Sequence, residues 1–138
     1  MKRNLFGILT TLTLALLISV PLSAQTIATA NIPFDFTVGQ TQLPAGTYNI
    51  SPLAQGAIVI RDGKTAKSVM SVFRWEDART GGDSTTKLVF HKYGDKYFLS
   101  QVARGNGNGV MQLPTSKLEQ EVRIASSGAP QKAVVAAK

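Results

Sequence analysis

Apolar and polar residues alternate with a period of two in several short segments of the chain, and this alternation predicts β-strands. Between residues 34 and 38, three apolar side chains are separated by Asp35 and Thr37. The other segments are bounded by turns rich in Gly, Asn, Asp or Pro, which break the strands. These segments cover residues 48–50, 57–61, 66–75 and 110–113.

The strongest local signal is a hairpin from Leu88 to Val102 with a two-residue Gly94–Asp95 turn. Such a turn fixes which residues face each other across the two strands. The predicted pairs are Phe90–Leu99, His91–Phe98, Lys92–Tyr97, Leu88–Gln101, Val89–Ser100 and Lys87–Val102. Because both faces of the hairpin carry apolar residues, we expect it in the middle of a sheet.

The C-terminal part of the chain predicts a short helix and then a tail. Ser116 lies three residues before Glu119, which is the spacing of a helix capping box. We therefore predict a helix over residues 117–124, and a flexible tail over 126–138. With about seven or eight strands, the fold class is all-β, either a small antiparallel sandwich or a small barrel.

The first 24 residues have the layout of a secretory signal peptide. Lys2 and Arg3 precede an apolar run of about 16 residues, which is shorter than the roughly 20 that a membrane-spanning helix needs. The predicted cleavage follows Ala24 or Ala30. One β-domain over residues 25–125 follows the signal, with no membrane span after its removal.

Composition limits the partners of the exported chain. It has no cysteine, so it forms no disulfide and carries no lipoprotein anchor. Of 15 Lys and Arg residues, Lys2 and Arg3 lie in the signal, and the other 13 face 8 Asp and Glu residues. These basic residues are dispersed, which favours a solubilising surface, with envelope polyanions as the alternative partner. Nucleic acid is not expected, because no recognition module is present.

The residues do not predict a catalytic, cofactor or metal site. His91 is the only histidine, and its predicted cross-strand neighbour is Phe98 rather than a carboxylate. One histidine and no cysteine make a zinc site improbable. The glycines of residues 104–109 precede a strand and not a helix, so they do not form a dinucleotide loop.

Binding is expected at exposed loops on the β-scaffold. The two Gly-rich loops, residues 76–85 and 104–109, form the predicted contact surface. We expect core packing for Trp75, with a sugar- or lipid-binding role as the alternative. The candidate binding residues are Trp75, Arg79, His91, Tyr93, Tyr97, Arg104, Asn106 and Asn108.

Two motifs together carry a resemblance. IPFDFTVGQTQLPAGTYNI followed by LVFHKYGDKYFLSQV resembles a family of small, uncharacterised exported bacterial proteins that occur as many paralogues. The resemblance covers most of residues 31–121. It implies export and a compact β-domain, and it brings no catalytic or binding residues.

The sequence thus predicts a monomeric, exported, non-catalytic β-domain that binds or scaffolds in the periplasm or outside the cell. One alternative is a small barrel that carries an apolar ligand. A second is a hydrolytic enzyme that uses His91 with a carboxylate brought near by folding.

Overall fold

The computed structural model describes residues 25–53, 56–77 and 83–138, which form eleven strands and one helix. The strands are β1 (Ala28–Ile32), β2 (Phe36–Val38), β3 (Thr41–Leu43), β4 (Gly46–Leu53), β5 (Ala57–Asp62), β6 (Ser68–Val72), β7 (Arg74–Glu76), β8 (Thr86–Tyr93), β9 (Lys96–Ala103), β10 (Val110–Gln112) and β11 (Gln131–Ala137). The helix is α1 (Lys117–Ala125). The predicted all-β class with one short helix is confirmed, although the strands outnumber the predicted seven or eight. The signal peptide assigned to residues 1–24 lies outside the described residues.

The strands form two sheets that pack face to face as a sandwich. One sheet has the order β1-β4-β5-β6, and the other has the order β11-β8-β9-β10-β7. β2 extends the second sheet, because it pairs in parallel with β9 and antiparallel with β3. The period-two pattern explains the packing: Ala28, Ala30 and Ile32 of β1 are buried between the sheets, and Thr29 and Asn31 are exposed or face solvent.

The two sheets are joined at both sides. On one side the chain runs directly from β6 into β7, just after the 2.8 Å bond from the Phe73 amide to the Gly56 carbonyl, which extends the β5–β6 ladder. On the other side Thr29 and Lys138 exchange two backbone hydrogen bonds of 2.7 and 2.9 Å. The outer strands of the two sheets are therefore joined in pairs, β6 with β7 on one side and β1 with β11 on the other.

Aromatic side chains fill the space between the sheets. Phe36, Tyr48 and Phe90 are fully buried. The ring of Phe36 meets those of Tyr48 and Phe90 edge-on, at centroid distances of 5.1 and 5.5 Å. These rings occupy the volume that an enclosed apolar ligand would need, so the interior gives no support to the carrier alternative.

The hairpin of β8 and β9 lies in the interior of its sheet, as predicted, and its register is confirmed near the turn. Phe90 faces Leu99, and the His91–Phe98 and Lys92–Tyr97 pairs are also as predicted. Beyond Phe90 the register shifts by one residue. The predicted pairs Leu88–Gln101, Val89–Ser100 and Lys87–Val102 are wrong, since the observed pairs are Leu88–Val102, Val89–Gln101 and Lys87–Ala103.

A β-bulge at Ser100 causes this shift. Ser100 is an extra residue in β9 with no partner on β8, and its carbonyl accepts the Leu113 amide at 2.9 Å instead. The bulge changes which side chains face the core. Leu99 and Val102 are both buried in the core, whereas an uninterrupted strand would have turned the polar Gln101 inward.

The helix begins where the capping box predicts. Ser116 Oγ accepts the Glu119 amide at 3.1 Å, and the chain enters the helix at Lys117. The helix ends at Ala125, one residue beyond the predicted end.

The segment after α1 differs from the predicted flexible tail. Gln131–Ala137 forms β11, which pairs with β8 along seven residues. Ala137 is buried in the core, and Val135 packs against it. This corrects the boundary of the β-domain, which extends past residue 125. The short apolar run of residues 133–137 has no strand next to it in sequence with which it could pair. Its partner in the structure is β8, which lies 40 or more positions earlier in the chain.

Candidate functional site

A cluster of polar side chains lies between α1 and the sheet. His91 Nδ1 is 2.6 Å from Glu119 Oε1, and His91 Nε2 is 3.1 Å from Ser100 Oγ. The Tyr93 hydroxyl also donates to Glu119 Oε1, at 3.1 Å. Glu119 is 3% exposed and Ser100 is 4% exposed. We call Ser100, His91, Tyr93 and Glu119 the helix-docking cluster.

Three elements position this cluster. His91 and Tyr93 are two residues apart on β8, so their side chains share the face of the sheet that α1 covers. Ser100 reaches the same face from β9 at the bulge. Glu119 lies in the first turn of α1, where the partial positive charge of the helix terminus favours a carboxylate.

The order of groups in the helix-docking cluster is that of an acyl-transfer triad, with a hydroxyl, an imidazole and a carboxylate in series. A nucleophile must, however, contact the acyl carbon of its substrate. Ser100 lies within a strand and is almost completely covered, unlike a serine on an exposed turn. With α1 in place, the cluster therefore acts as a set of bonds that holds the helix to the sheet.

The imidazole of His91 keeps both of its hydrogen bonds in either protonation state. With neutral His91, Nδ1–H donates to Glu119 and Nε2 accepts from the Ser100 hydroxyl. With a charged imidazole, both nitrogens donate, and the hydroxyl rotates to accept. This adaptability suits a structural contact.

Burial of Tyr93 and the adjacent negative charge of Glu119 raise the pKa of the Tyr93 hydroxyl above its ordinary value of 10.0, and the hydrogen bond to Glu119 adds to this effect. The folded state thus holds the phenolic proton more tightly than the unfolded chain. The resulting stability is complete below pH 10.0 and decreases as the pH rises through the raised pKa.

We therefore expect the free energy of unfolding to fall as the pH rises above 10.0, and to fall less steeply in Tyr93→Phe. Part of the decrease remains in the variant, because burial also raises the pKa of Tyr48. Urea midpoints measured at half-unit pH intervals test this. Parallel curves for the native chain and Tyr93→Phe would show that Tyr93 does not contribute.

The sequence pattern does not identify the carboxylate beside His91. It indicates Glu119 only as part of the helix start. In the structure Glu119 is the buried residue of α1, while Leu118 remains partly exposed. The capping-box spacing identified Glu119 as part of the helix start. Its contact with His91 is not predictable from local spacing, because the two residues are 28 positions apart and meet only when the helix packs on the sheet.

A second candidate site surrounds Trp75, which is 53% exposed. The prediction that Trp75 packs in the core is therefore wrong, because β7 is the outer strand of its sheet and this side chain faces outward. The Phe73 ring meets the indole edge-on at 5.2 Å, and the Arg104 guanidinium lies 6.0 Å from its centroid. A Cβ on Gly109 would come within 3.3 Å of the indole, so the absence of a side chain there makes room for Trp75.

Residues 104–109 adjoin this tryptophan, and residues 83 and 84 lie against them. The Asn106 amide donates to the Asp83 carbonyl at 2.9 Å, and Gly105 packs so closely on the Ser84 carbonyl that a Cβ would not fit. Asn106 and Asn108 are exposed. We call Trp75, Arg104, Asn106 and Asn108 the tryptophan surface. Arg79, the other loop residue predicted for binding, lies outside the described residues.

Asp83, which lies beside the tryptophan surface, bonds to two residues that follow it. Its carboxylate forms an ion pair with Lys87 and accepts the Thr85 amide at 3.0 Å. These hydrogen bonds, of which the one from Lys87 is the stronger, lower the pKa of Asp83 to about 2.

The structure divides the predicted binding residues among three places. Trp75, Arg104, Asn106 and Asn108 lie together, and His91 and Tyr93 belong to the helix-docking cluster. Tyr97 stands apart, stacked on Phe34 at 3.8 Å with Lys92 5.6 Å from its ring. The sequence therefore grouped residues that the fold separates.

Neither a metal site nor a membrane span is found in the part of the chain that the structure describes. No three His, Cys, Asp or Glu residues there come together in a way that could hold a metal ion. The one described helix is too short and too polar to cross a membrane. In the comparisons with known proteins, no family model, curated protein or solved structure matches the chain.

Proposed function

We propose that this chain is an exported, non-catalytic β-domain that binds anionic polysaccharide of the cell envelope through the tryptophan surface. The observation that carries the proposal is the half-exposed indole of Trp75, held in place by Phe73 and Arg104. A large apolar side chain left in water loses the stabilisation that burial would provide, so a fixed, exposed tryptophan is typical of a contact surface.

The chemistry around the indole suits an anionic sugar. A flat aromatic face packs against the C–H face of a pyranose ring, and tryptophan offers the largest such face. Arg104 supplies a guanidinium for a phosphate or carboxylate on the same polymer. The exposed amides of Asn106 and Asn108 offer donors and acceptors for hydroxyl groups.

Charge and the N-terminal pattern support the same proposal. Without Lys2 and Arg3, the chain keeps 13 basic residues against 8 acidic ones, which favours approach to a polyanion. The signal-like pattern of residues 1–24 supports export to the periplasm or the medium. The covered position of Ser100 supports binding over the hydrolytic alternative.

Binding of purified lipopolysaccharide at low salt, followed by calorimetry, tests the proposal. Trp75→Ala is expected to weaken binding by about tenfold, since loss of one aromatic stacking contact costs about 1–3 kcal/mol. Arg104→Gln is expected to weaken binding and to reduce its salt dependence. Neutral dextran is expected to bind more weakly than lipopolysaccharide.

The matched control is Ile124→Ala, which removes an exposed apolar side chain from α1 and leaves the tryptophan surface unchanged. It is expected to bind like the native chain. Circular dichroism checks that Trp75→Ala remains folded, and Trp75→Phe, which keeps an aromatic ring, should retain part of the affinity. Equal binding by native and Trp75→Ala chains would overturn the assignment of this surface.

A further inference from the structure

β6 has one free edge. It pairs with β5 from the Arg61–Ser68 pair to the Ala57–Val72 pair, and no other described strand lies against it. β10, which lies near the end of β6, pairs with β9 on one side and with β7 on the other. An edge strand presents unpaired N–H and C=O groups along its outer side, which can pair with another extended segment.

A groove follows this free edge at its C-terminal end. Its volume is about 430 Å³. One wall is formed by Val72, Phe73 and Arg74, and the other by residues 112–115. The groove exists because β10 ends at Gln112 and the next residues diverge: the Leu113 amide bonds to the Ser100 carbonyl, and Pro114 has no N–H to donate.

Two of the three outward side chains of β6 are apolar, and the third is Ser68. Met70 is 64% exposed and Val72 is 63% exposed, while Val69, on the opposite face of the strand, packs against the core. Edge strands usually carry charged side chains or prolines along this face, which prevent pairing with other chains. β6 has neither at these positions, so it keeps the two features that strand addition requires: free backbone groups and an apolar outer face.

The charges at the N-terminal end of β6 are mainly basic. Lys67 precedes the strand, Arg61 pairs with its first residue, and Lys64 lies in the turn before it, against the single carboxylate of Asp62. At the C-terminal end, Arg74 forms an exposed ion pair with Glu76. This pattern complements a segment with an acidic residue opposite the N-terminal end of β6.

The same charges disfavour pairing between two copies of the chain. If two β6 strands paired antiparallel about Met70, Lys67 of one copy would face Phe73 of the other, beside its Arg74. Like charges placed next to each other across a pair of strands are destabilising. The basic N-terminal end of the strand therefore favours an acidic partner over self-association.

We propose that the free edge of β6 binds an extended, acidic segment of a partner protein, which adds to the four-stranded sheet as a fifth strand. The segment has apolar side chains at alternate positions, which contact Met70 and Val72, and an acidic side chain at the end that faces Lys67 and Arg61. This is recognition by strand addition, in which backbone hydrogen bonds give affinity and alternate side chains give specificity. It is independent of sugar binding at the tryptophan surface.

The test uses a synthetic seven-residue peptide with alternating Val and Thr between a Glu and an Asp, added to the full folded domain. We expect millimolar or tighter binding, with a Kd of about 1 mM or below, and slower hydrogen exchange at the β6 amides. A peptide with N-methylated central residues is expected not to bind, because it lacks the backbone donors. A peptide with Lys at both ends is expected to bind at least about tenfold more weakly.

Variants locate the site. Met70→Asp combined with Val72→Asp is expected to weaken peptide binding by about tenfold or more, through loss of apolar contact and repulsion of the acidic ends. Val134→Asp is the matched control, since Val134 is similarly exposed on β11, and it is expected to bind normally. Equal binding of the N-methylated peptide, protection from exchange outside β6, or dimerisation of the native chain that Met70→Asp abolishes would each overturn the proposal.

Discussion

A chain that ends at Pro130 is expected to lose cooperative folding. Removal of residues 131–138 deletes all of β11 and leaves the outer edge of β8 without its seven-residue partner. It also removes both backbone bonds between Thr29 and Lys138, which join the two sheets. The free energy of unfolding of such a domain is only about 5–15 kcal/mol. Loss of a whole strand together with its core contacts is expected to remove most of it. Urea unfolding followed by near-ultraviolet circular dichroism measures the effect.

Two neighbouring positions in β11 provide a matched pair for this prediction. Val135 packs against the core, and Val134 is exposed. Val135→Asp places a carboxylate among apolar side chains and is expected to reduce the free energy of unfolding by about 2–3 kcal/mol. Val134→Asp is expected to change it by less than about 0.5 kcal/mol. A truncated chain that unfolds at the native urea midpoint would show that residues 131–138 form the flexible tail that the sequence predicts.

β11 shows why local patterns predict some elements and miss others. The hairpin turn and the helix cap depend on residues two or three positions apart, so Gly94–Asp95 and Ser116–Glu119 identify them from sequence alone. β11 is stabilised by a partner that is distant in the chain. Its own signal, a few Ala and Val residues after a Gly–Ala–Pro segment, is too short to distinguish a strand from a disordered end.

The bulge at Ser100 shows a second limit. Strict alternation assigns opposite faces to neighbouring residues, and one extra residue exchanges the faces of every position beyond it. The apolar residues Leu99 and Val102 are three positions apart, which is a hint of the interruption, but the same spacing occurs in regular strands. The hydrogen bond that stabilises the bulge comes from Leu113, which the hairpin pattern does not include.

The positions of the candidate residues follow only in part from the sequence. Gly and Asn content predicts an exposed loop at residues 104–109, and the structure brings this loop against Trp75. The sequence did not predict the exposure of Trp75, since a tryptophan in a strand is buried in most sheets and only the position of β7 at the sheet edge turns it outward. For His91, the local hairpin gave the correct cross-strand partner, Phe98, but not the helix that covers both.

Glu119→Ala is expected to reduce the free energy of unfolding by about 2–4 kcal/mol, because it removes the acceptor shared by His91 and Tyr93 and leaves buried donors without partners. The effect should be near the lower end of this range, since the His91 side chain is about one quarter exposed and water can replace part of the lost contact. Glu119→Gln keeps the size of the side chain and one acceptor oxygen, and is expected to cost less than Glu119→Ala. Urea unfolding measures all of these differences.

The matched control for this prediction is Glu121→Ala, on the exposed side of the same helix, which is expected to change stability by less than about 0.5 kcal/mol. His91→Ala combined with Glu119→Ala should cost less than the sum of the two single changes, by about 1 kcal/mol or more, because each single variant already breaks the shared bond. Additive effects would contradict a direct contribution of that bond. Hydrolysis of an activated ester by the native chain, abolished by Ser100→Ala, would contradict the purely structural role of the cluster, since a covered serine that only helps to hold α1 in place cannot act as a nucleophile.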